Sequence, residues 1–426
     1  MNILTSRVKP GRGSAGLSLL LGVALLAACD IGGSPAAPTP ITGGVTPTAT
    51  PVAPTVAAPT NTARPPTETP QPTRPAAAVP TARRTGNTTP GTTWRLIGLT
   101  GQELFAVAGT GQLDAPIYVG GTGVYRSDDG GGTWTQLGFD NRTDVDEIHV
   151  SLSNPKVIYA GSGMNCYGGP TGGQFRSDDG GDTWKPLKEA PSSLVVDPKN
   201  ENLVVAMTCS GVVRSEDGGQ TWKALADPVQ SRLQNFVGET VRVAGSDNGI
   251  IYATYASEGG STRIRRTTDT GKTWSGGDTD YPGVSGLLVD DRRPQRAWAL
   301  AQTGVLRTSD GGATWVPDVT GLDVAHNTAA GSQGAYQLSG ITAQYNTAGD
   351  LIEIYVGSYG TESQPAGGIF GTKDGGQVWS RFGGDLGGLA IHELRVARET
   401  SANGNIVVLY AATDDGVHKL LLNNVR

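Results

Sequence analysis

Ser127-Asp128-Asp129-Gly130-Gly131-Gly132-Thr133-Trp134 has the pattern Ser-x-Asp-x-Gly-x-Thr-Trp, and the chain keeps returning to it. It recurs at residues 177–184 and 215–222. Looser copies stand at residues 267–274, 308–315 and 372–379, the last with Val378 where the others have threonine. The copies follow one another at roughly 40 to 60 residues, a period expected of propeller blades. The chemistry of the octapeptide is local. Asp-x-Gly suits a hairpin turn, because aspartate bonds nearby backbone amides and glycine accepts positive φ. The tryptophan then buries a large ring against a neighbouring element, and its N–H needs a partner.

Outward from each octapeptide the sequence reads as strands. Val157-Ile158-Tyr159-Ala160 is one, and Gln174-Phe175-Arg176 leads into the second octapeptide. Residues 148–187 show a whole unit: a strand, a Pro-containing turn, a second strand, a Gly-rich loop, a third strand, the octapeptide and a fourth strand. Four strands per unit is the blade pattern. Six of the eight tryptophans end octapeptides. Trp94 lies in Thr92-Thr93-Trp94-Arg95-Leu96, which reads as the tail of a further octapeptide and a fourth strand. Its front half lies at the other end of the chain, where Gly416-Val417-His418-Lys419-Leu420 aligns with Gly123-Val124-Tyr125-Arg126-Ser127 and Leu422 replaces the aspartate. The expectation is an all-β, single seven-bladed propeller over residues 91–426, whose last blade takes its outer strand from the N-terminal side and so leaves no open sheet edge. Trp298 reads as core.

These repeats resemble the Asp-box (BNR-repeat) propeller superfamily, over all of residues 91–426. That superfamily includes sialidases, xyloglucan-degrading glucanases, sortilin-type receptor domains and a photosystem II assembly factor. The resemblance implies a structural role for the boxes, on hairpins between third and fourth strands: Asp129 with Trp134, Asp179 with Trp184, Asp217 with Trp222, Asp269 with Trp274, Asp310 with Trp315, and Asp374 with Trp379.

The first residues read as a targeting signal. Arg7, Lys9 and Arg12 precede a short apolar run, too short for a comfortable membrane span, that ends in Leu26-Ala27-Ala28-Cys29. This resembles a bacterial lipobox, which implies a signal peptide over residues 1–28 and lipidation of Cys29. Residues 29–90 form a Pro/Thr/Ala-rich tether with almost no large apolar side chains, a composition that stays disordered and extended. At about 3 Å per residue it would reach well over 100 Å. Loss of residues 1–28 leaves 30 basic and 39 acidic side chains, a net charge of −9. Such a balance disfavours duplex nucleic acid and anionic lipid, so membrane contact falls to the anchor alone. The reading is an exported, monomeric protein at the outer face of a membrane.

No catalytic constellation emerges. Arg126, Arg176, Arg214, Arg266 and Arg307 each stand immediately before an octapeptide, and a position repeated around a ring reads as structural, not as a sialidase-type carboxylate clamp. Asp144, Asp146 and Glu147 form one acidic cluster, read as a solvated turn and strand entry. Carboxylate pairs for glycoside hydrolysis are not identifiable. His149, His326, His392 and His418 lack metal-ligand spacing, and no cofactor is implied. Cys166 and Cys209 follow the second strands of adjacent blades and are candidates for a disulfide. The stronger functional signal is loop length. Connections between second and third strands are longest in blades 2, 4 and 6, at residues 161–173, 255–262 and 358–368. They offer Asn165, Tyr167, Tyr255, Glu258, Tyr359 and Glu362 on the face opposite the boxes, where a rigid scaffold presents partner-binding residues. The leading reading is a binding or assembly module for a protein or glycan; the alternative is a sialidase-like or other carbohydrate-active glycoside hydrolase. Replacement of Cys29 by alanine should move the protein from the detergent phase to the aqueous phase on partitioning. Equal release of wild type and variant would refute lipidation at that residue.

Overall fold

The computed structural model describes residues 78–79 and most of residues 93–424. Outside it lie 139–143, 163–172, 189–192, 209–210, 226–240, 245–249, 257–260, 276–280, 302–303, 323–336, 360–367 and the single positions 270, 283, 285, 291, 319, 385, 387 and 403. By contact density the chain divides into Met1–Thr69 and Pro70–Arg426, and the described residues belong to the second unit. Cys29, Asn165, Cys166, Tyr167, Cys209, Glu258 and Glu362 lie outside the described residues.

Two short strands come first, β1 (Ala78–Val79) and β2 (Arg95–Gly98). The first sheet holds β3 (Ala106–Ala108), β4 (Ile117–Gly120), β5 (Val124–Ser127) and β6 (Trp134–Gln136). The second holds β7 (Glu147–Val150), β8 (Ile158–Ser162), β9 (Gly173–Ser177) and β10 (Lys185–Pro186). β11 (Ser193–Asp197), β12 (Asn200–Thr208), β13 (Gly211–Ser215) and β14 (Lys223–Ala224) make the third. The fourth contains β15 (Val241–Ala244), β16 (Ile250–Ala256), β17 (Ser261–Thr267) and β18 (Tyr281–Pro282). β19 (Gly286–Val289), β20 (Ala297–Ala301), β21 (Gly304–Thr308) and β22 (Val316–Asp318) form the fifth. The sixth is β23 (Gln337–Tyr345), β24 (Leu351–Tyr359), β25 (Ile369–Thr372) and β26 (Ser380–Phe382). β27 (Ile391–Ser401), β28 (Gly404–Thr413) and β29 (Gly416–Asn424) come last and take β2 as their outer strand.

The architecture is an all-β propeller with four-stranded antiparallel blades. Among the described residues, six sheets have four strands and the first has five, because β1 joins the outer edge of β6 through Ala78 opposite Thr135 and Val79 opposite Trp134. The composition of residues 29–90 predicts a disordered tether, yet the backbone of residues 78–79 pairs with the sheet. Across the closing sheet Arg95 faces Lys419, Leu96 faces His418 and Gly98 faces Val417. The core is distributed between sheets. One buried cluster joins Ala106, Tyr118 and Val124 of the first sheet to Ile148, Ile158 and Ala160 of the second. Another joins Val107, Val119 and Trp134 of the first sheet to Val408, Tyr410 and Val417 of the last.

The octapeptides cap this packing. In the second, the Ser177 hydroxyl donates to Asp179 Oδ1 at 2.7 Å and accepts the Gly181 N–H at 2.8 Å. Asp179 also accepts from the Thr183 N–H (2.9 Å) and the Thr183 hydroxyl (2.5 Å). The same set recurs around Asp129, Asp217, Asp269 and Asp310. Gly181 shows why the fifth position is glycine. Its φ is +96°, and a Cβ there would sit 2.3 Å from Leu137 Cδ1 of the preceding sheet. The turn is therefore pressed against its neighbour's outer strand. Tryptophan completes the contact. Trp134 is 1% exposed and donates its indole N–H to Ile97 O, while Trp222 donates to Lys188 O.

Asp374 has a different set, from Gln377 N–H, Val378 N–H and the Thr372 hydroxyl, because Val378 has no hydroxyl to give. Hydrogen bonds from the Thr314 hydroxyl and then its N–H hold Asp310 down to about 2; the Thr372 hydroxyl is the leading cause for Asp374, which is also lowered. A depressed carboxylate contributes stability that is present above its unfolded range and lost as pH falls through the folded value. Val378→Thr should therefore raise stability by about 0.5 kcal/mol at neutral pH, a solvent-exposed hydrogen bond's worth. The gain should vanish between about pH 4 and pH 2. Thermal melts at pH 7 and pH 2 check this; a gain that persists at pH 2 would mean that the new side chain acts through packing.

Candidate functional site

Strand direction puts the octapeptides and the turns between first and second strands on one face. The connections between second and third strands, and the starts of the innermost strands, lie on the other. That second face is where the sequence placed ligand contacts. Tyr255 and Tyr359, read as loop residues, belong to second strands: Tyr255 pairs with Arg263 inside the β16–β17 ladder, and Tyr359 ends β24 opposite Gln337. The fourth-blade connection is correspondingly shorter than the sequence reading, since β16 runs to Ala256 and β17 begins at Ser261.

The innermost strands begin on this face. Ala106, Glu147, Ser193, Gly286, Ser339 and Glu393 pair with Gly120, Gly161, Met207, Leu300, Gly357 and Ala412 respectively. Two of these are carboxylates, and both reach the next sheet. Glu147 Oε1 accepts from the Ser193 hydroxyl (3.0 Å) and the Leu194 N–H (3.2 Å), and lies 2.9 Å from His149 Nε2. Glu147 Oε2 accepts from Gln174 Nε2 at 2.8 Å, and Gln174 is 1% exposed. Glu393 Oε2 accepts the Val107 N–H at 2.8 Å. Ser339 donates to Ile391 O. Glu147 is thus no solvated strand entry; it is a clasp between the second and third sheets. Nearby, Asp414 accepts the Ala390 N–H at 3.1 Å and Asp415 the Gly101 N–H at 2.7 Å. Phe105 stands edge-on to His392 at 5.2 Å, and burial lowers the His392 proton affinity.

On the opposite face Arg126, Arg176 and Arg266 are equally committed. Arg126 donates to Gly180 O of the next octapeptide at 3.4 Å, beside the Tyr118 hydroxyl at 3.3 Å from the same oxygen. Arg176 donates to the Tyr159 hydroxyl at 2.8 Å, and that hydroxyl donates to Glu201 O at 2.9 Å. Arg266 reaches Gly311 O, and Lys419 of the last sheet reaches Gly130 O at 2.9 Å. Trp298 stands at the tyrosine position of the fifth sheet and donates its N–H to Gly375 O at 2.8 Å. Burial pushes the hydroxyls of Tyr118, Tyr159 and Tyr252 up to about 12, so they remain donors. The second-strand aromatics went unread in the sequence. Their signal is Ile117-Tyr118-Val119-Gly120, Ile158-Tyr159-Ala160-Gly161 and Ile354-Tyr355-Val356-Gly357.

Among the described residues no three His, Cys, Asp or Glu side chains group as a metal site, and no helix is long and apolar enough to cross a membrane. No family model matches the sequence, and no curated protein matches it. Solved structures do. A GH74 xyloglucanase from Xanthomonas campestris is similar with a TM-score of 0.56 at 15% identity, over 78% of this chain and 54% of that one. YCF48 from Cyanidioschyzon merolae is similar at 0.52 and 17% identity, over 78% and 100%. The extracellular domain of a hybrid two component system of B. thetaiotaomicron scores 0.51 at 12% identity, over 79% and 40%. The chain thus spans about half the length of the xyloglucanase. At these identities the likeness is one of fold.

Glu147→Ala should cost about 2 to 3 kcal/mol, because it leaves the Leu194 N–H, the Ser193 hydroxyl and the Gln174 amide without their acceptor. Urea unfolding measures it. Unchanged stability would mean that the carboxylate is free for chemistry.

Proposed function

We propose that this chain is a cell-surface binding or assembly module, held to the membrane by a lipid on Cys29, with no catalysis of its own. Its sheets close as a ring of seven blades, the last completed by β2, and its ligand is a protein or a glycan. The observation that carries this reading is the state of the carboxylates on the face opposite the octapeptides. Glu147, Glu393, Asp414 and Asp415 each accept a backbone N–H. A carboxylate that satisfies a backbone donor is a poor general base, because protonating it breaks the bond that holds the sheets. Arg126, Arg176 and Arg266 are spent in the same way on neighbouring turns, which argues against a carboxylate clamp built from them. What the ring offers is a mouth edged by the ends of second strands, with Tyr255 and Tyr359 among them, and Tyr167 is the third tyrosine that the sequence offers to a ligand.

A glycan array read for both binding and hydrolysis tests the proposal, with a protein pull-down from the exported fraction run alongside. Retention of a ligand without turnover, weakened at least tenfold by combined alanine replacement of Tyr167, Tyr255 and Tyr359, is the expected result. Turnover of a glycan, with affinity untouched by that triple replacement, would favour the glycoside hydrolase instead.

A further inference from the structure

The sixth sheet departs from a pattern that its neighbours keep. Tyr118, Tyr159, Tyr252, Trp298 and Tyr410 each stand opposite a cation on the third strand: Arg126, Arg176, Arg266, Arg307 and Lys419. Tyr355 stands opposite Gly371. The loss has a reason in the ring. Arg126, Arg266 and Lys419 reach into the next octapeptide, and the seventh sheet, which follows Gly371's own, has none.

The seventh sheet shows what the sixth has given up. There Glu399 precedes Tyr410 by eleven residues and accepts from both the Tyr410 hydroxyl and Lys419 Nζ. In the sixth sheet Gln344 precedes Tyr355 by the same eleven residues. Glutamine replaces the glutamate and glycine replaces the lysine, so both charges are gone. Yet a different carboxyl has entered. Glu353 is 8% exposed, its Oε2 lies 2.9 Å from the Tyr355 hydroxyl, and among the described residues it makes no ion pair. Its Oε1 fills the space beside Gly371, 3.2 Å from where a Cβ would be.

The Tyr355 oxygen is also 3.1 Å from Gln344 Oε1. A phenol has one proton and cannot donate it to two acceptors at once. All three groups are satisfied if Glu353 carries a proton, donates it to the Tyr355 oxygen, and Tyr355 donates to Gln344. The other arrangement turns the Gln344 amide over, so that Nε2 donates to Tyr355 and Tyr355 donates to a buried carboxylate that has no cation. The first leaves no buried charge and is the cheaper.

We propose that Glu353 is a neutral carboxylic acid in the folded chain at pH values where the exposed carboxylates are ionised, and that loss of its proton weakens the seam between the sixth and seventh sheets. Tyr355 belongs to the buried cluster that forms this seam, together with Ile369 of its own sheet and Leu394, Leu409 and Leu420 of the next. A charge at Glu353 must either stay beside that apolar cluster or pull away from Tyr355 toward water. The groups around Glu353 are Gln344 on the first strand, Tyr355 on its own strand, Gly371 on the third and Phe382 on the fourth, whose ring lies 4.9 Å from that of Tyr355. The charge that bears on it is Lys373, exposed in the octapeptide. Burial raises its proton affinity and outweighs both the Tyr355 bond and Lys373. The sign follows: a raised folded value contributes stability that is fully present below the ordinary glutamate range and lost as pH rises through the folded value.

Carboxyl carbon NMR of the full chain, with Glu353→Gln to assign the resonance, reads the titration directly. Glu353 should titrate above every other resolved glutamate. In thermal melts, wild type should lose on the order of 2 °C relative to Glu353→Gln as pH rises through that titration. Below the titration the gap between the two proteins should stay constant with pH. A Glu353 resonance that titrates in or below the ordinary glutamate range would overturn the proposal, even if the variant fails to fold. So would parallel melting profiles of the two proteins from pH 4 to pH 9.

Discussion

The propeller depends on one hydrogen-bonded unit: a serine or threonine hydroxyl and an aspartate carboxylate that together tie up the amides of a tight turn. In the first octapeptide Ser127 accepts the Gly131 N–H while Asp129 accepts from Thr133. That closure leaves the Gly130 carbonyl for the preceding sheet, where Lys419 takes it. It also brings Gly131 against Ile97, with no room for a side chain between them. A device local to one hairpin thus sets the distance between two sheets. Its loss would be felt at a seam, which explains why the residues are repeated as a block. Aspartate alone would not hold the turn, and glycine alone would not hold the neighbour.

The two faces are built by different chemistry. On the octapeptide face, cations and phenols donate to carbonyl oxygens of the next sheet. On the other, carboxylates of inner strands accept N–H groups of the next sheet, as Glu147 does from Leu194 and Glu393 from Val107. Backbone donors and acceptors at the sheet ends are thereby met by side chains of opposite character. This polarity engages Glu147 and Glu393 on one face and Arg126, Arg266 and Lys419 on the other.

The fold was legible because the period was. Six tryptophans in a fixed setting, and a seventh at Trp94 separated from its turn, disclose four-stranded units and the pairing of Arg95–Gly98 with the last strand. The interior of the site was less so. Glu147 reads as a surface residue because two aspartates precede it nearby, and nothing local announces that Ser193, 46 residues on, will bond it. Glu353 is hidden for a related reason: its environment is defined by an absent arginine, and absence shows only once strands are aligned. Tyr255 and Tyr359 read as loop residues because strand ends carry no punctuation here; the ladder runs through Tyr255 and ends on Tyr359.

The closing sheet has a mechanical meaning. β2 reaches its partner across more than three hundred residues of sequence, so the ring can shut only after the last strand exists, and such long-range pairing is slow to form. Once shut, the same strand is the entry point for load. Tension arriving along the chain from its N-terminal side meets the two residue pairs of β1 on β6, and then the three pairs of β2 on β29. These few backbone contacts are the first that such tension would load. The seam they guard is also the one where Lys419 and Trp134 fasten the last sheet and the first. In a protein of this design, tension from the N-terminal side is felt at the clasp before it reaches the other sheets.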